Sequence, residues 1–109
     1  MFTYVDGNNN TYRLDRDGIL TYHPISKQQS SSGFYSGGDP KAVDLAADDF
    51  ALVVDAFEYL FTDNVERADE RRLGTAMVIR SEPRERIYIG RRSPATVEFE
   101  TTLSELLGK

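Results

Sequence analysis

The chain has 109 residues, no cysteine, one histidine, 39% hydrophobic and 28% charged residues, and a formal net charge of −5. This length and composition predict one folded domain over residues 1–109 that buries about two-thirds of its unfolded surface and needs no cofactor. The lack of cysteine excludes disulfides, thiolate nucleophiles and cysteine-ligated zinc, and the acidic balance disfavours a general phosphate-binding surface.

The first residues, Met1-Phe2-Thr3-Tyr4-Val5-Asp6, contain no basic region and no apolar run of signal-peptide length. No later stretch approaches the about 20 apolar residues that a membrane span requires, so the sequence predicts a cytoplasmic protein with no membrane partner. Phe2–Val5 and Thr11–Leu14 are rich in aromatic and β-branched residues, and Asp6-Gly7-Asn8-Asn9-Asn10 between them tolerates positive φ. A second turn at Asp15-Arg16-Asp17-Gly18 leads into Ile19–Ile25, where Leu20 and Tyr22 face one side and Thr21 and His23 the other. Together these segments predict a three-stranded antiparallel meander.

Residues 26–41 (SKQQSSSGFYSGGDPK) have no apolar face and read as a Ser/Gly-rich loop that carries Phe34 and Tyr35 between glycines. In residues 48–61, Phe50, Val53, Val54, Phe57, Leu60 and Phe61 recur at three- and four-residue spacing, which predicts a long amphipathic helix. Asp44 is a candidate N-cap, and Asp48 and Asp49 complement the positive end of the helix. Residues 65–72 are highly charged and read as a loop or a solvated helical turn. Leu73–Arg80 and Arg86–Gly90 then read as antiparallel strands joined through Pro83, with Ile79, Ile87 and Ile89 in the core. Beyond Ser93-Pro94, residues 96–100 alternate like a strand. Thr102 with Glu105 forms a capping-box pattern that predicts a short helix from Leu103. The fold class is α+β: an antiparallel sheet of five or six strands, one long helix packed on one face and a short C-terminal helix.

Motifs that carry chemistry are sparse. His23 is the only imidazole, and neither a nucleophile nor an orienting acid can be assigned to it from sequence order. Asp6, Asn8, Asn10 and Asp17 approximate a calcium-loop spacing. Thr11 stands where glycine is required, however, and Asp17 where a bidentate Glu is required, so no metal site is assigned. The glycines around Phe34-Tyr35-Ser36 lack the Lys and Ser/Thr of a phosphate loop, and Asp39-Pro40 follows instead. Residues 65–92 hold eight arginines against five acids. Among these, Arg84, Arg86 and Tyr88 share strand parity, and Arg91 and Arg92 follow.

Arginine and tyrosine are enriched at protein interfaces. The leading expectation is therefore a non-enzymatic, accessory or inhibitor-like module that binds another protein. Its predicted contact residues are Phe34, Tyr35, Ser36, Arg84, Arg86, Tyr88, Arg91 and Arg92. The alternative is a small enzyme or ligand-binding domain with a pocket at His23, Tyr35 and Asp39. Nucleic-acid binding by the arginine-rich hairpin is a third reading, disfavoured by the net charge. An exposed strand edge is compatible with a homodimer.

Overall fold

In the computed structural model, residues 1–25, 39–62, 64–69, 75–81, 83–90 and 93–108 are described. Among these residues, seven strands and two helices follow one another: β1 Phe2–Val5, β2 Thr11–Leu14, β3 Ile19–His23, β4 Lys41–Asp44, α1 Ala47–Leu60, β5 Arg67–Ala68, β6 Ala76–Ser81, β7 Arg84–Ile89 and α2 Pro94–Leu107. The strands form one antiparallel sheet in the order β4-β3-β2-β1-β6-β7-β5.

The first turn is built by Asp6. Its Oδ1 accepts the backbone N–H groups of Asn8 and Asn10, both at 2.9 Å, and its Oδ2 accepts Asn10 Nδ2 at 3.1 Å. Asn9 takes the left-handed conformation (φ 68°) that this tight turn needs and that Asn tolerates. Asp15 repeats the device by accepting from the N–H groups of Asp17 and Ile19. Gly18, at φ 86°, meets the left-handed requirement there, and its carbonyl accepts Leu45 N at 2.9 Å.

Strict alternation places Tyr4, Tyr12 and Tyr22 in register on β1, β2 and β3, and Phe2, Leu14 and Leu20 in the next row. Both rows are buried under the helices. Phe57 of α1 stacks on Phe2 with ring centroids 4.7 Å apart, and Phe99 of α2 lies 4.9 Å from Tyr4 and 4.7 Å from Phe57. Each such large apolar side chain contributes about 1.5–3 kcal/mol on full burial, so this aromatic cluster is the main tie between the layers. As the 48–61 periodicity predicts, Val53, Phe57 and Leu60 are buried, with Phe50, Val54 and Phe61 half-buried beside them.

Several expectations are corrected. The sheet has seven strands rather than five or six, because Lys41–Asp44 pairs with β3 and Arg67–Ala68 pairs with β7. The C-terminal segment is a second helix of 14 residues, equal in length to α1, and not a strand followed by a short helix. Pro94 at its first position has the φ that begins a helix, and Phe99, Leu103 and Leu107 form the buried stripe. Thr102 caps nothing; within α2 its hydroxyl donates to the Glu98 carbonyl. The α1 N-cap is Ala46 rather than Asp44, which ends β4. Ile87 and Ile89 are core, whereas Ile79 lies half-buried on the opposite face of the sheet. No helix among the described residues is long and apolar enough to cross a membrane.

Candidate protein-docking face

Both helices cover the same side of the sheet, and no helix or strand among the described residues packs on the other. Register defines two rows across this open face. One runs Thr21, Arg13, Thr3, Ile79, Arg86, and the other runs His23, Thr11, Val5, Met77, Tyr88, Ala68. Thr3, Val5, Met77, Ile79 and Tyr88 are half-buried, while Arg13 and Arg86 are exposed. The guanidinium carbon of Arg86 lies 5.7 Å from the Tyr88 ring centroid, a cation–π distance that holds both groups on the β7 side of the face.

The shared parity of Arg84, Arg86 and Tyr88 is realised in β7, and all three point away from the helices. Their acidic neighbour Glu85 points the other way, towards Arg80. Arg80 does not join the open face. Its guanidinium donates to Glu58 at 2.7 Å and to Glu85 at 2.6 Å, and stacks 4.6 Å from the Phe61 centroid, fastening α1 to the β6–β7 hairpin. On β1, β2, β6 and β7 the open face thus presents three arginines and no carboxylate.

Phe34, Tyr35, Ser36, Arg91 and Arg92 lie outside the described residues. Of the alternative pocket, Tyr35 does too. His23 is exposed at the end of β3 on the open face, and Asp39 is exposed just before β4. His23 and Tyr88 occupy one row but are separated by β2, β1 and β6, so they do not share a site. The calcium-like spacing resolves into turn chemistry, since both carboxylate oxygens of Asp6 accept N–H donors from within the turn. No cluster of three metal-ligating side chains occurs among the described residues.

Met77 and Val5 are members of this face that residue patterns did not single out, and Ile79 is one that they place in the core. The sequence does not mark them, since Ala76 to Ile79 are all apolar; their alternating burial and the β1–β6 pairing, which joins strands far apart in the chain, place them on this face. No family model, curated protein or solved structure matches the chain. The functional reading therefore rests on residues and geometry.

Proposed function

We propose that the chain is a non-enzymatic interaction module, accessory or inhibitor-like, that binds an acidic surface of another protein through the β6–β7 side of its open sheet face. One observation carries this reading: Arg84, Arg86 and Tyr88 stand beside half-buried Met77 and Ile79, and Glu85, the carboxylate between them in β7, points to the opposite side of the sheet. An apolar centre rimmed by arginine and tyrosine is the composition of a binding hot spot. The arginines select a partner with carboxylates, because a surface of the same sign costs several kcal/mol.

The test is capture of partners from nuclease-treated lysate of the source cells by the tagged chain and by its Arg86→Glu and Tyr88→Ala variants. The expected result is one protein recovered near stoichiometry by the parent chain, with affinity lowered about thirtyfold in each variant, the loss of about 2 kcal/mol typical of a hot-spot residue. Both variants should keep the parent's fold by circular dichroism, since neither side chain is in the core. Undiminished recovery by both variants would overturn the assignment. Recovery that disappears on nuclease treatment would transfer the arginine face to a nucleic acid.

A further inference from the structure

The helix layer carries a second surface of opposite character. On α1, Leu52, Asp55, Ala56 and Tyr59 recur at three- and four-residue spacing, and on α2 Ala95, Glu98, Phe99 and Thr102 do the same. Each helix thus turns one stripe towards the other. Between the stripes lies a solvent-open groove of about 470 Å³. Ala56 and Ala95 keep it open, because larger side chains at those positions would fill the space between the helices. Buried Leu60 and Phe99 form an apolar floor. Leu52 and Tyr59 leave 52% and 49% of their surface in solvent, although neither is needed by the core cluster that α1 makes with the sheet.

The walls are acidic. Asp55 and Glu98, both exposed, line the groove from opposite helices. Across α1 and α2 together there are seven carboxylates and no basic residue. An apolar floor between carboxylate walls is complementary to a ligand that is apolar along one stripe and cationic beside it. The lining on α1 runs from Leu52 to Leu60, about 12 Å at the helical rise, or a little over two turns. That length matches a helix better than a compact small molecule. We propose that the α1–α2 groove docks a cationic amphipathic helix of another protein. Two apolar side chains one turn apart enter between Ala56 and Ala95, and flanking Lys or Arg residues meet Asp55 and Glu98. This surface is on the opposite side of the molecule from the arginine face, and the inference does not depend on that reading.

The probe is a fluorescein-labelled 14-residue Leu/Lys peptide with its leucines on one helical face, compared with a permuted peptide of the same composition. Anisotropy titrations measure affinity, and amide chemical shifts locate the contact. The amphipathic peptide is expected to bind at least about tenfold more tightly than the permuted one, with shifts confined to the two facing stripes. Asp55→Lys combined with Glu98→Lys should weaken it by a further factor of about ten, a loss of about 1.4 kcal/mol. Leu52→Ala, which leaves the charge intact, should weaken it severalfold. All three substituted positions are exposed, and circular dichroism verifies the fold. Equal binding of the two peptides, indifference to charge reversal, or shifts on the sheet's open face would overturn the proposal. So would a peptide-free dimer in sedimentation that is lost on Tyr59→Lys, which would assign the groove to a second copy of the chain.

Discussion

Tyr4, Tyr12 and Tyr22 stand side by side beneath α2, with centroids 5.9 Å and 4.8 Å apart. Burial is the main force that pushes the Tyr4 hydroxyl above its ordinary pKa, reinforced by the Glu100 carboxylate and then by Asp6. Tyr12 is also raised, by burial first and then by Asp6 and Tyr22. A phenol with a raised folded-state pKa binds its proton more tightly folded than unfolded. Its contribution is therefore fully present below about pH 10, the unfolded value, and is lost as pH rises above it. Urea unfolding is expected to give constant stability from these groups up to pH 9. Above pH 10 the loss should approach about 1.4 kcal/mol per pH unit for each of the two phenols. Tyr12→Phe should lower that slope by one phenol's share, and an unchanged slope in the variant would refute the assignment. Arginine shows the complementary lesson at this scale. Sequence counts eight arginines in residues 65–92, but Arg80 is committed to Glu58 and Glu85 and Arg67 donates to the Phe61 carbonyl at the end of α1. Nothing in local sequence separates such structural arginines from the open pair Arg84 and Arg86.

At the scale of elements, the two helices differ in how well their ends are held. The last turn of α1 is closed by the Thr62 hydroxyl and Arg67, both donating to its carbonyls, and α2 ends on Gly108 in the left-handed conformation. The start of α1 has Asp48 and Asp49 in its first turn but no side-chain cap. Ala46 has the extended backbone of an N-cap (φ −62°, ψ 158°) but no side-chain acceptor. Ala46→Ser should supply one and raise stability by about 1 kcal/mol, seen as a thermal midpoint about 4–8 °C higher. An unchanged or lower midpoint would show that the helix start is already satisfied.

The elements most legible in the sequence were those whose signal is local. The turn residues Asp6–Asn10 and Asp15–Gly18 announce β1 to β3, and the apolar spacing of Phe50 to Phe61 announces α1. Lys41–Asp44 and Arg67–Ala68 escaped because they are short edge strands with exposed or half-buried side chains, so no burial pattern marks them. In α2, the alternation of Val97, Phe99 and Thr101 imitates a strand, and only packing of Phe99 and Leu103 against the sheet decides for helix.

Taken whole, the two helices and the central strands carry charge of opposite sign, although Asp44 of edge strand β4 also lies on the open face. The sequence shows the imbalance as an acidic first half and a neutral second half, with residues 1–64 at net −6 and 65–109 at +1. Folding regroups it, so that acids from both halves gather on the helices while Arg13, Arg84 and Arg86 share the open sheet. This arrangement could not be read from the chain in order, because it depends on the pairing of β1 with β6.

That pairing also sets a timetable. β1 to β4 are joined in sequence and can zip locally, as can β6 with β7, but among the described strands only the β1–β6 seam, with Tyr4 opposite Val78, pairs the two sets. Such a remote contact bears the largest chain-closure cost and is expected to form late. Leu14→Ala, within the first set, should slow refolding, whereas Val78→Ala, at the seam, should chiefly hasten unfolding; the opposite pattern in stopped-flow kinetics would reverse the order. During synthesis the first strand must wait for the sixth to leave the ribosome, and for that interval the future centre of the sheet is a bare edge, open to pairing with other nascent chains.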